Sequence, residues 1–288
     1  MCFFIGRSVH PFTCGVHRSD VRLTSRFIDG EIFDGIYSVV HECGHGLYEQ
    51  GLPVDFCNQP VGQPLGMATH ESQSLFWERL IGQSRWFCHR VTPRINELFG
   101  TEPYGTAATA TPSADDWYAA VNKVQPTLKR LDADELTYHA HILVRYEIER
   151  DLMSGRLPVE AGPIRQTWEK YMREYVGLVP DNDVDGALQD VHWGTTSIGY
   201  FPSYSLGALV AIQLFEKMRT EMPDLEEVVS NPARSLVPIR DWLCEKVHSR
   251  GKLDGNLDEL LIKATGETLN PTYAINYYKK KYTELYGL

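Results

Sequence analysis

The residues with the clearest chemical potential are His41-Glu42-Cys43-Gly44-His45, an H-E-x-x-H pattern. A spacing of four puts both imidazoles on one face of a helix, one turn apart, where they can hold a single metal ion. Glu42 then lies beside the first ligand, in reach of a metal-bound water rather than of the metal. Imidazole ligands with an open position suit zinc first, and cobalt or manganese are compatible with the same set. The pattern is short, and its plain alternative is a buried helix with two hydrogen-bonded histidines. The surroundings favour chemistry. Phe33, Ile36, Tyr37, Val39, Val40, Leu47 and Tyr48 make the segment apolar almost all round, the mark of a buried helix. Two histidines and a glutamate in a dry helix need partners, because an unpaired buried polar group is costly.

A catalytic zinc takes three protein ligands and keeps one position for water. The third ligand is expected from the next helix, predicted over about Thr69–Cys88. Glu71 is the candidate; Glu78, two turns on, is its rival or a supporting residue. Read blandly, Glu71 is an acid at a helix N-terminus, favoured by the dipole. The polar and aromatic stretch Gln189–Tyr204 holds His192, Tyr200 and Tyr204, side chains able to steady an oxyanion. The plain alternative there is an aromatic core with satisfied hydroxyls.

The elements that must position these groups are mostly helical. His10-Pro11-Phe12 opens a turn-rich stretch. Val21, Leu23 and Phe27 alternate in a predicted strand Asp20–Phe27, which Asp29-Gly30 ends. Gly51-Leu52-Pro53 stops the metal helix. Residues Gly100–Pro112 read as a loop, and Ser113–Asp116 as a capped helix start. Further helices are predicted near Ala133–Met153, Val159–Tyr175, Tyr204–Thr220, Pro238–Ser249, Leu257–Thr265 and Pro271–Tyr286. The expected fold is mainly α, with a short β ribbon beside the metal helix. Over 288 residues there is no repeat and no clear boundary, so residues 1–288 read as one catalytic region.

Composition narrows the partners. With 28 basic against 38 acidic residues the formal net charge is −10, which argues against nucleic acid or an anionic membrane surface. No apolar run reaches the ~18 residues of a membrane span, and Met1–Gly6 is too short for a signal-peptide core. The six cysteines form no C-x-x-C pair and read as reduced thiols in the cytoplasm. Cys43 is expected to point away from the His41/His45 face. A homodimer is compatible with the sequence, which fixes no oligomeric state.

Several motifs together resemble one family, the M32 metallocarboxypeptidases or carboxypeptidase Taq family. His10-Pro11-Phe12 matches H-P-F, and Asp20 to Thr24 matches D-x-R-x-T. His41 to His45 matches H-E-x-x-H, and His70 to Gln73 matches H-E-S-Q. Gly186 to Trp193 matches G-x-x-Q-D-x-H-W. One motif departs: I-R-x-x-A-D corresponds to Lys129–Asp134, with Lys129 in place of the apolar first residue while Arg130 and Asp134 remain. The resemblance implies a helical zincin-type exopeptidase that removes the C-terminal residue of a peptide. It implies His41, His45 and Glu71 as metal ligands and Glu42 as general base. His192 and Tyr204 would act on the substrate or oxyanion, with His10 and Tyr200 at the substrate. Arg130 is the first choice for the free carboxylate, an anion that a guanidinium fork matches, with Arg22 and Arg145 behind it. The Asp20–Phe27 strand would pair with the substrate backbone. Full-length members are longer, so this chain resembles their catalytic C-terminal half without the N-terminal helical region. The alternatives are a truncated, inactive metal-binding fragment acting through partners, or an aminopeptidase or endopeptidase with the same ligand set.

Overall fold

The computed structural model describes residues 4–100 and 111–288. The predicted loop Gly100–Pro112 therefore falls largely outside the described residues. The chain forms two compact units, one of residues 1–121 and 207–288, the other of residues 122–206.

The first unit opens with a small sheet of β1 (Phe4–Arg7), β2 (Phe12–His17) and β3 (Asp20–Ser25). The strand order is β1-β3-β2, with β1 parallel and β2 antiparallel to β3. Val21, Leu23 and Ser25 alternate inward and are buried. The sheet corrects one expectation. β3 is the central strand, and over Arg22–Thr24 both of its sides are already paired, with β1 and with β2, so that stretch is not an edge that could pair with a peptide. The turn-rich stretch at His10-Pro11-Phe12 leads directly into an edge strand, β2.

The metal-motif helix α1 (Ile32–Gly51) ends where Leu52-Pro53 removes the next donor, as expected. It is less deeply buried than its composition predicts. Tyr37, Glu42, Gly44, Gly46 and Tyr48 are buried, while Phe33, Ile36, Val39, Val40 and Leu47 are half-buried. The predicted helix Thr69–Cys88 is two. α2 (Met67–Leu75) passes into π-helical turns over Phe76–Gly82, and α3 (Arg85–Phe99) begins afresh. Ser84 caps α3, accepting from the Phe87 amide at 3.1 Å. α4 (Ala114–Val121) starts at the predicted cap, where Ser113 and Asp116 exchange side-chain and backbone hydrogen bonds.

The second unit holds α5 (Tyr138–Met153) and α6 (Ala161–Tyr171), packed through Val144, Ile148, Trp168 and Met172. α5 starts later than predicted because Asp134 turns the chain, accepting from the amides of Leu136 and Thr137. Helix α7 (Pro202–Glu221) begins in this unit and continues in the first. There α8 (Leu225–Ser230), α9 (Val237–Lys246), α10 (Leu257–Thr265) and α11 (Thr272–Tyr286) complete the chain. The main core of the first unit joins Tyr48, Leu75, Phe76, Val210, Leu214, Leu243 and Leu261. Each such side chain contributes roughly 1.5–3 kcal/mol on burial. Among the described residues five cysteines are free, and no helix is long and apolar enough to cross a membrane.

Candidate metal centre

Helical periodicity brings His41 and His45 to one side of α1, with ring centroids 4.9 Å apart. α2 lies against that side because Gly44 permits it. A Cβ at Gly44 would stand 2.5 Å from the Gln73 carbonyl oxygen and 2.6 Å from Ser74 Cα. This close approach carries Glu71 to the imidazoles. Glu71 Oε2 is 3.9 Å from His41 Nε2 and 3.5 Å from His45 Nε2. One donor atom from each of the three side chains lies within 4.8 Å of the others, the sole such His/Cys/Asp/Glu group among the described residues. Cys43 is outside it. Behind Glu71, Gly207 of α7 leaves room for the side chain, since a Cβ there would meet Glu71 Cβ at 2.8 Å.

The imidazoles are oriented from behind. Glu78, in the π-helical turns, places Oε2 2.7 Å from His41 Nδ1. His45 Nδ1 meets His70 Nδ1 at 2.6 Å, and His70 Nε2 meets Glu49 Oε1 at 2.8 Å. In both rings Nδ1 is occupied and Nε2 faces Glu71, the arrangement in which second-layer partners present a lone pair to a metal. Glu78 thus takes the supporting place the sequence left open for it, while Glu71 stands with the histidines. Glu49 was missed at the sequence level, and His70 was named only as part of a matched motif, without its contact to His45. The signal was available in part, because His41, His45 and Glu49 recur every four residues on one helical stripe.

The electrostatics fit a cation. Burial works against a charged His41, but Glu71, Glu78 and Glu42 outweigh it and bring the imidazole up to about 9. Burial above all holds His45 well below the usual range, so its ring is neutral and able to ligate. Three carboxylates around these rings favour one positive charge, and a divalent ion meets that demand without protonating a ligand. Glu42 is 6% exposed. Burial raises its carboxyl above the usual range against the opposing pull of His41, Thr13 and His10. Thr13 on β2 holds it at 2.5 Å. His10 Nδ1 lies 2.5 Å from the Pro11 carbonyl oxygen.

In the second unit the remaining candidates gather, apart from Arg22. Asp190 bridges the two arginines: Arg130 Nη2 reaches Oδ1 at 2.7 Å and Arg145 Nη2 reaches Oδ2 at 2.6 Å. Burial opposes the Asp190 charge, yet Arg145 and Arg130 together hold its carboxyl below the usual range. Arg145 is fully buried and also donates to the His141 carbonyl and to Gln189 Oε1. Its fork is occupied within the unit. Arg130 is 7% exposed, and its guanidinium covers the Tyr204 ring at 4.7 Å. His192 Nε2 lies 3.1 Å from Tyr204 Oη, with Tyr200 and Phe201 against its ring. Arg22, in the first unit, is 56% exposed and forms a forked pair with Asp20. A surface pair of this kind is worth little.

A mainly helical scaffold presenting H-E-x-x-H on one helix and a glutamate on the next defines a metallopeptidase-type centre. The chain belongs to the carboxypeptidase Taq (M32) metallopeptidase family, whose sequence model matches residues 3–282. It is similar to Carboxypeptidase 1 of Bacillus subtilis, with 39% identity over 284 residues, covering 99% of this chain and 54% of the relative. It is equally similar to Thermostable carboxypeptidase 1 of Thermus thermophilus, with 39% identity over 280 residues, 97% of this chain and 52% of that protein. Among solved structures, the M32 carboxypeptidase from Deinococcus radiodurans matches with a TM-score of 0.92 at 35% identity, covering 99% of this chain and 56% of that one. Trypanosoma cruzi metallocarboxypeptidase 1 matches with a TM-score of 0.88 at 39% identity, covering 97% and 56%. The chain spans about half the length of the curated relatives it matches.

Proposed function

We propose that this chain is the catalytic region of a metal-dependent carboxypeptidase, with His41, His45 and Glu71 holding one divalent ion, zinc in first place. The observation that carries the reading is the convergence of those three side chains beside a buried glutamate, in a chain of this family. When bound, the metal supplies Lewis-acid polarisation and lowers the pKa of its water to about 7. Glu42 accepts the proton of the attacking water, favoured by its raised pKa, and returns it to the leaving amine. Thr13 fixes the carboxylate for that transfer. His192 and Tyr204 steady the substrate or the oxyanion, and Tyr200 packs beside them. Arg130 anchors the free C-terminal carboxylate, with Asp190 and Arg145 holding its side chain in place.

The test is turnover of an N-blocked dipeptide against its C-amidated counterpart. The blocked peptide with a free carboxylate is cleaved and the amide is not. Glu42→Gln keeps the metal and loses hydrolysis; a variant that hydrolyses as fast as the parent would falsify Glu42 as the base. The coverage of about half of the relatives favours one second reading, a region that binds metal but turns over nothing alone. Zinc uptake without turnover would select it.

A further inference from the structure

We infer that Glu49 and His70 form an outer relay that fixes the tautomer and raises the basicity of His45, extending the α1 motif to H-E-x-x-H-x-x-x-E. The inference rests on the proposed metal centre and concerns residues beyond its three ligands.

The proton arrangement follows from three contacts. His45 Nε2 faces Glu71 Oε2 at 3.5 Å, so this nitrogen carries the ligating lone pair and Nδ1 carries the hydrogen. That Nδ1–H points at His70 Nδ1, 2.6 Å away, which must accept. A neutral His70 with a bare Nδ1 has its hydrogen on Nε2, and Nε2 lies 2.8 Å from Glu49 Oε1, a carboxylate acceptor. One arrangement satisfies every contact. In the reverse direction His70 Nε2 would set a lone pair against a carboxylate oxygen, and His45 would aim a hydrogen into the ligand pocket.

The relay is held in place. The Tyr48 ring stands edge-on to His70 with centroids 5.2 Å apart. His70 precedes Glu71 in sequence, so one turn of α2 supplies both a ligand and the relay. Glu49 sits one turn past His45 on α1. The two ligands therefore differ: His41 reaches its carboxylate, Glu78, directly at 2.7 Å, and His45 reaches Glu49 through a second imidazole. A carboxylate pulling through the relay makes His45 a stronger donor and restricts its ring rotation. The Glu49 side chain is 27% exposed, so replacing it leaves no core cavity.

The experiment measures zinc dissociation constants by competition with a chromophoric chelator for the parent, Glu49→Gln, His70→Gln, the double variant and His45→Ala. Thermal unfolding of the metal-free proteins and visible spectra of the Co(II) forms accompany it. Glu49→Gln is expected to weaken zinc binding about 10- to 100-fold, with unchanged metal-free unfolding and a shifted Co(II) spectrum. His70→Gln loses at least as much, and the double variant loses little more, because both residues act along one path. Parent-like zinc affinity in Glu49→Gln overturns the relay. If His45→Ala still abolishes binding in that case, the ligand assignment stands. A parent chain that takes up no zinc overturns both. If His70→Gln fails to fold, Glu49→Gln alone decides.

Discussion

Thr13 Oγ1 lies 2.5 Å from Glu42 Oε2 and 3.0 Å from the Glu42 carbonyl oxygen, so an edge strand holds the second residue of the H-E-x-x-H helix. The contact restrains the carboxylate rotamer and stabilises its charged form. Thr13→Val keeps the shape and removes the hydroxyl. A hydrogen bond to a charged group contributes about 1.5–3 kcal/mol, so kcat is expected to fall at least about tenfold. Zinc content should stay at the parent level, and Thr13→Ser should recover most of the rate. Steady-state turnover of an N-blocked dipeptide, with elemental analysis of the same samples, checks this.

Two glycines set how closely α2 is approached, Gly44 from α1 and Gly207 from α7. Gly44→Ala would put a methyl against the backbone of Gln73 and Ser74, which cannot swing aside. Separating α1 from α2 is expected to cost at least about 1–3 kcal/mol and to weaken zinc binding. Gly207→Ala instead meets the Glu71 side chain at 2.8 Å, so it should weaken zinc binding with a smaller loss of stability. Chelator competition and urea midpoints on the two variants separate the effects. Parent-like values for Gly44→Ala would show that the approach is looser than described.

Arg130 and Arg145 share Asp190 but should fail differently. Arg145 has no exposed surface, and Arg145→Met leaves a buried carboxylate with one arginine instead of two. Losing one partner of a buried pair typically costs about 3–5 kcal/mol, so the urea midpoint should drop. Arg130→Lys retains charge and loses the fork. It is expected to raise KM for a free-carboxylate peptide at least about tenfold while changing the midpoint little. Equal effects of the two variants on KM would remove the distinction.

Two buried histidines are expected to make stability fall in acid. Burial is the main cause for both: with Arg145 and Arg130 it lowers His141 from 6.5 to about 4, and with His70 and Arg240 it lowers His248 to about 3. Each folded value lies below the unfolded one, so the unfolded chain takes up its proton first as pH drops. The contribution of these two groups to stability is therefore expected to be full above pH 6.5 and to decline toward 4 and 3, by up to about 1.4 kcal/mol per pH unit for each group. His248→Gln should flatten the decline, as read from urea midpoints of metal-free protein between pH 7 and about 4.5. An equally steep profile in that variant would exclude His248 as a source.

The helical periodicity of α1, its stop at Leu52-Pro53, the strand near Asp20 and the cap at Ser113 follow from local rules, and all were legible in the sequence. So was the His41/His45 face, because a spacing of four is a property of one helix alone. Glu71 was already a candidate from its place on the next helix, and the motif resemblance strengthened it; the arginines came in only with the free carboxylate that the resemblance implies. Tertiary structure decided the rest. The sheet order makes β3 central and β2 the edge. The break at Ser84 separates α2 from α3, and the π-helical turns carry Glu78 to His41. Contacts from Thr13 to Glu42, from Glu49 through His70 to His45, and from both arginines to Asp190 join residues distant in the chain. Their geometry depends on how closely backbones pack, at Gly44 and Gly207 above all, and composition within any single segment does not encode that distance.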